Sequence, residues 1–229
     1  MFANELPADA TPSLTRQVYE RLRQDLLAGR WAPGGKLTMH QLRDRYESGA
    51  SPLREALSRL ATEGLVVHNE QRGFAAAAVS QAELDDIVRT RMAVEAMALE
   101  QAFARRTEAD EEALVLAFHR LSRTPRSVGA ESYEENPQWE QYHRAFHLAL
   151  LAPCGSPLLL GFCEQLYDRA YRYRQLAAHK AYRRRNEHDE HRAIFDAVLE
   201  HRLDDARRLM ADHYERTAGL FISPAGGAS

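Results

Sequence analysis

Four histidines stand where amphipathic helices ordinarily carry apolar residues. His143 and His147 are four residues apart, so they share one helical face with Trp139, Phe146 and Leu150. His191 shares a face with Ile194, Phe195 and Val198, and His213 with Leu209, Met210 and Thr217. A single histidine on such a stripe is usually a core residue satisfied by a hydrogen bond. Several directed inward from three helices are harder to dismiss, because each buried imidazole needs a partner. One metal ion would satisfy them together, and imidazole suits Zn, Ni, Fe or Cu. The expected cofactor is a divalent transition metal, zinc or nickel, held between facing helices. His179 and His188 look outward or peripheral and stay outside the set.

Arg91 and Glu95 interrupt another stripe, Leu84–Val88–Arg91–Glu95–Ala98–Ala102. They read either as a shielded ion pair or as an effector site in which Arg91 grips a carboxylate. The planar guanidinium fork matches a carboxylate well, and both readings hold if Glu95 orients Arg91. Arg172 is the third effector-binding candidate. Arg174, in the same YRYR run, either faces inward or decorates a helix.

Nearer the N-terminus, Leu53, Ala56, Leu57 and Leu60 make an inward stripe that turns Ser51, Arg54 and Ser58 outward. Arg54 is placed for a bidentate contact to guanine, the commonest specific contact to a base. The first turn, Ser51 to Arg54, offers backbone N–H groups to a phosphate. His40, Gln41 and Arg43 lie on the exposed side of the preceding helix, and Arg72 and Gly73 at a hairpin tip. On spacing alone, a small helical domain with merely solvated arginines fits equally well. The run Lys180–Arg185, KAYRRR, resembles a second nucleic-acid patch, but the acidic EHDEH after it favours a solvated helix end.

The elements that must position these residues can be read in order. Residues 1–12 form a loose arm. Ser13 caps a helix carrying Leu14, Val18, Leu22 and Leu26, which closes at Gly29. WAPGGKL turns into a short strand, and Thr38 caps a short helix. Ser51 is read as the N-cap of the next helix, with Pro52 at its first position and Gly64 at its end. LVVH and FAAAAV then flank a polar tip as a β-hairpin. Helix, helix, turn, helix and hairpin is the order of a winged helix-turn-helix over residues 13–79. Ser80 and Glu83 make a capping box, after which the pattern is helical at 81–105, 108–123, 137–152, 157–178, 187–201 and 203–220. The fold class is mainly α, with an all-α bundle at 80–222 and a flexible tail at 223–229.

Composition bounds the function more loosely. The 229 residues carry a formal charge of −3, with +1 on residues 1–78 and −4 on the remainder. That asymmetry is too small to announce a nucleic-acid partner. No apolar run approaches the roughly 20 residues of a membrane helix, and no basic and apolar leader opens the chain. Cys154 and Cys163 give neither a disulfide framework nor a paired metal motif. These features describe a soluble, cytoplasmic protein with no membrane partner.

The stretch SPLREALSRLATEGLV, followed by a polar hairpin and GF, resembles the DNA-binding domain of GntR-type bacterial transcription regulators. It follows their P-[VL]-R-E-A-L-x-R-L-x-x-E-G-L-V pattern almost throughout. One departure is Gly49–Ala50, where many members have Ser-Arg, so an arginine expected near Ala50 is absent. The remainder resembles the helical ligand-binding (FCD) domain of the FadR-like branch, and looks most similar to its CsiR-type members. The pieces that carry this are Arg91–Glu95, Phe146–Leu150, Glu190–Ala197 and Ala211–Tyr214.

The second resemblance implies a divalent metal, bound in many members through one Asp and three His. Here His143 stands at the Asp position, and His147, His191 and His213 carry over as the other ligands. The substitution keeps a donor but removes its negative charge. The implied partners are double-stranded operator DNA, bound as a homodimer, and a small organic acid of the kind CsiR-type regulators are associated with. A reading helix spans few base pairs, so a symmetric pair gains specificity economically. A metal-responsive regulator is the alternative. A metal-dependent hydrolase is weaker, since the chain has no HExxH, no GxSxG and no carboxylate clearly placed as a base.

Overall fold

A computed structural model describes residues 13–129, 131–181 and 186–221; side chains at 179–181 are outside the description. The chain splits between Ala78 and Val79 into two compact units. The arm at 1–12, the tail at 223–229 and nearly all of the Lys180–Arg185 run lie outside the described residues.

The first unit contains α1 (Leu14–Leu27), β1 (Lys36–Leu37), α2 (Met39–Tyr46), α3 (Ala50–Thr62), β2 (Val66–Asn69) and β3 (Gly73–Ala76). The three strands form an antiparallel sheet in the order β1-β3-β2, with Leu37 opposite Phe74 and Asn69 opposite Gly73. Its core is Leu22, Leu26, Leu42, Leu53, Leu57 and Leu60, all essentially without exposure. A buried carboxylate ties the helices together. Asp25 accepts from Arg30 at 2.7 Å, Arg45 at 2.6 Å and Tyr46 at 2.7 Å. Burial pushes the Asp25 carboxyl up, but those hydrogen bonds outweigh it and hold it below the usual carboxylate range.

One expected boundary is corrected here. The N-cap of α3 is Gly49, not Ser51, and the helix begins at Ala50. The Leu53 amide reaches the Gly49 carbonyl at 3.5 Å, so Pro52 sits third in the helix, where its missing N–H still costs nothing. The amides left for an anion are therefore at Gly49, Ala50 and Ser51. At the other end Gly64 adopts φ +74°, and the Leu65 amide closes on the Leu60 carbonyl.

The second unit contains α4 (Gln81–Arg105), α5 (Glu108–Arg123), α6 (Pro137–Leu151), α7 (Pro157–Ala181), α8 (Glu187–Leu199) and α9 (Leu203–Ala218). The α4 helix packs on α7 and α9, while α5 packs on α6 and α8. Four helix ends depart from expectation. The α8 helix stops at Leu199, because His201 takes φ +54° and the Arg202 amide turns back to the Ala197 carbonyl. The α6 helix ends one residue early in a short 3₁₀ turn, Ala152–Cys154, that contains Pro153. The α9 helix likewise closes at Ala218, and α7 runs on to Ala181.

Candidate metal centre and DNA-reading helix

The four histidines do converge. His143 and His147 from α6, His191 from α8 and His213 from α9 are each 2–4% exposed, and one ring nitrogen from each lies within 4.8 Å of the others. His143 Nε2 is 3.1 Å from His191 Nε2 and 3.2 Å from His147 Nε2. These spacings suit nitrogens sharing a cation at roughly 2.0–2.1 Å each. Trp139 stacks on the His143 ring with centroids 4.6 Å apart.

The far sides of three rings are held by oxygen atoms. His143 Nδ1 lies 2.6 Å from Tyr167 Oη, His213 Nδ1 lies 2.9 Å from Glu190 Oε2, and His147 Nδ1 lies 3.4 Å from Tyr214 Oη. The Tyr214 hydroxyl donates to Glu95, so it can only accept from His147. The Glu190 oxygen lies where it accepts from His213 Nδ1. Both rings thus carry a proton on Nδ1, and His147 turns its Nε2 toward His143. Burial holds the His143 and His147 imidazoles well below their usual pKa, with Arg174 acting further on His143 and His213 on His147. Carboxylate–histidine contacts of this kind orient ligands in metal sites.

A small cavity beside the histidines is lined by Arg91, Arg174, Tyr173, His213, Tyr214 and Thr217. Arg91 donates to Glu95 at 2.5 Å and lies 4.0 Å from the centroid of the Tyr214 ring. Burial works against its charge, but Glu95 outweighs it and holds the guanidinium firmly protonated. Its Nη2 is buried without a hydrogen-bond partner. Such an atom is costly to leave unpaired, and it is what an incoming carboxylate oxygen would satisfy.

Arg172 is buried but does not line this cavity; its charged neighbour is Glu83. Two residues along α7 turn the chain by roughly 200°, so Arg174 takes the place beside Arg91. Sequence reading singled out the histidines and Arg91, and passed over Glu140, Tyr167, Glu190 and Tyr214. The one available signal was the interruption of apolar stripes. Tyrosines on a stripe do not interrupt it visibly, and glutamates at its margin look solvated.

In the first unit, α3 exposes Ser51, Arg54 and Ser58 as expected from its stripe. Most arginines of this unit are engaged: Arg16 with Glu20, Arg23 and Arg59 with Glu63, Arg30 and Arg45 with Asp25, and Arg21 with the Arg45 carbonyl. Among the described residues, Arg43, Arg54 and Arg72 form no such contact. His40 is exposed but turned to Asp44 at 2.9 Å, which competes with any phosphate contact. Gly73 takes φ +77° at the hairpin tip beside Arg72, a conformation that side chains other than glycine resist.

Comparison with known proteins adds independent findings. Residues 14–75 match the gntR family of bacterial regulatory proteins, and residues 86–216 match the FCD domain. Over 95% of its length the chain is 35% identical to the uncharacterized HTH-type transcriptional regulator BphR of Paraburkholderia xenovorans, covering 89% of that protein. It is 36% identical to the HTH-type transcriptional repressor GlaR of Escherichia coli, over 85% of this chain and 90% of that one. The solved structure of Escherichia coli McbR/YncC superposes with a TM-score of 0.72 over 92% of this chain and 98% of its own, at 24% identity. That last likeness is one of fold.

Proposed function

The chain belongs to the gntR family of bacterial regulatory proteins and carries an FCD domain, and from that premise we propose how its two units work. It is a DNA-binding transcription regulator and not an enzyme. In the proposed mechanism α3 reads the major groove of a near-palindromic operator as part of a homodimer. Arg54 contacts a base, Ser51 and Ser58 flank it, and Arg43, His40, Arg72 and Gly73 meet the backbone or minor groove. Repression is the reading supported by the likeness to GlaR.

His143, His147, His191 and His213 hold a divalent transition metal, zinc or nickel. The observation that carries this is the convergence of the rings, with His143 Nε2 3.1 Å from Nε2 of His191 and 3.2 Å from Nε2 of His147. Facing lone pairs repel unless a cation lies between them. When bound, the metal supplies positive charge and an open position for an anionic oxygen. Arg91 orients the effector, a small mono- or dicarboxylic acid, through the guanidinium nitrogen left unpartnered beside the cavity. Glu95 fixes Arg91, and Arg174 adds a second positive group in place of Arg172. Four neutral imidazoles leave the metal charge uncompensated, which favours an anion. The acid changes the balance between DNA-competent and incompetent arrangements of the dimer, and so sets operator affinity.

The test has two parts. Protein purified without a histidine tag is analysed for metal beside His147→Ala; stoichiometric metal in the wild type alone is expected. A thermal-shift screen of carboxylic acids of two to seven carbons then identifies the effector, since a ligand of the folded state raises the melting temperature. A wild type without metal after exposure to zinc and nickel contradicts the metal reading. An acid that binds equally well to Arg91→Ala contradicts the anchoring role.

A further inference from the structure

We propose that Tyr167 is a positioning residue for the metal centre, locking His143 into the one tautomer able to act as a ligand. This rests on the metal reading above, but it makes a separate claim about the protein's own hydrogen bonds. Tyr167 is 2% exposed on α7, facing His143 and Glu140 of α6. Its hydroxyl has three close neighbours: Glu140 Oε1 at 2.7 Å, Arg174 Nη2 at 3.1 Å and His143 Nδ1 at 2.6 Å.

The protons leave one arrangement. A hydroxyl has one proton to donate and two lone pairs with which to accept. Arg174 has no lone pair, so it occupies one acceptor direction as a donor. Glu140 Oε1 already accepts from Arg174 Nη2 at 2.6 Å, and it takes the tyrosine proton as well. If that proton went to His143 instead, Glu140 would need a proton of its own to bridge the 2.7 Å to Tyr167. Although burial raises the Glu140 pKa, the Arg174 contact at 2.6 Å favours the carboxylate. The remaining lone pair of Tyr167 must therefore accept from His143, which fixes the histidine proton on Nδ1. His143 Nε2 is then bare and points at Nε2 of His191 and of His147.

Glu140 and Arg174 are the anchor of this arrangement. The Arg174 guanidinium is buried, and Glu140 with its tyrosine neighbours holds its pKa above the usual arginine value despite burial. Its carbon centre lies 4.7 Å from the Tyr167 ring centroid, so ring and guanidinium pack as well as hydrogen bond. Arg174 also lines the effector cavity, which connects that cavity to a metal ligand through two hydrogen bonds.

Tyr167→Phe tests this, because it keeps the ring and removes only the hydroxyl. Long-range ¹H–¹⁵N NMR of histidine-labelled, metal-free protein reads the tautomer of His143 directly. Competition with a chromophoric chelator reads the dissociation constant for Zn²⁺. Wild type is expected to show His143 protonated on Nδ1. The variant is expected to lose that preference and to bind Zn²⁺ about 10–100-fold more weakly, the usual cost of losing an outer partner of a ligand. Wild-type His143 protonated on Nε2, in protein that binds Zn²⁺, overturns the role of Tyr167 and leaves the metal centre standing. Unchanged tautomer and Zn²⁺ affinity in the variant overturn it too. Wild type that binds no Zn²⁺ while His143 is protonated on Nδ1 overturns the metal reading and, with it, the positioning role.

Discussion

In the unit ending at Ala78, the side chains proposed to meet DNA are exposed on top of a leucine core, with Leu53, Leu57 and Leu60 beneath Arg54, and the buried carboxylate Asp25 is no part of that set. In the unit beginning at Val79, the chemistry has replaced part of the core: four histidines and the Arg91–Glu95 pair are 2–4% exposed. On the roles proposed above, the difference follows from the ligand. A DNA groove is met from outside, so α3 can keep a complete apolar face and change its outer residues freely. A metal and a small anion must be taken out of water, where each charge–dipole contact gains strength but each polar group must be satisfied. The second unit therefore surrounds its candidate site with an outer set of partners, Tyr167, Glu190, Tyr214 and Glu95. The buried carboxylate of the first unit, Asp25, instead joins helices and not the proposed DNA contacts.

Substitutions separate the two designs, starting with the largest expected effect. Leu57→Ala should destabilise the first unit by about 2–5 kcal/mol and abolish operator binding. Metal affinity of the second unit should be unchanged, and chemical denaturation followed beside Zn²⁺ titration checks both. Zn²⁺ at one hundred times its dissociation constant should stabilise the second unit by about 2.7 kcal/mol, and His147→Ala should remove the gain. Denaturation with and without chelator reads this. Arg54→Ala, by contrast, should leave stability within about 0.5 kcal/mol yet cost about 1–3 kcal/mol of specific binding, measured by gel shift.

Acid should produce a smaller separation. Burial holds the His143 and His147 imidazoles well below their unfolded pKa, so the unfolded chain takes up protons first. The second unit should therefore lose stability progressively as pH falls below about 6.5, with protons displacing Zn²⁺ only further down. Asp25 in the first unit has a folded pKa below its unfolded value, so its stabilisation is present above the unfolded pKa and is lost as pH falls through the folded one. The first unit should therefore hold until pH is below about 4, and Asp25→Asn should remove that late step. Unfolding midpoints across this pH range, with each unit followed by its own signal, decide the order.

The same contrast explains what could be read from the chain. The stripe Leu53–Ala56–Leu57–Leu60 and the SPLREALSRLATEGLV stretch made the first unit legible, and its membership of the gntR family is shown. The cap at Gly49 was not legible, because Ser51–Pro52 carries an equally good local signal and only the placement of the helix start decides between them. In the second unit each histidine was visible as a polar residue on an apolar stripe. Its partners were not, because Glu140 and Arg174 sit 34 residues apart and meet only when α6 crosses α7. Arg172 and Arg174 illustrate the limit: period alone separates their faces but does not say which face the cavity occupies.

The central claim is that an acid held in the second unit sets the grip of the first on DNA. Coupling between two binding sites is reciprocal, which makes one linked measurement decisive. The protein first selects its operator from a random duplex pool. Calorimetry then gives the dissociation constant for the identified acid with Zn²⁺-loaded protein, free and saturated with that operator, and anisotropy gives operator affinity with and without the acid. The account predicts changes of the same factor in both directions, about 5–150-fold, abolished in Arg91→Ala. Equal operator affinity with and without saturating acid would contradict it.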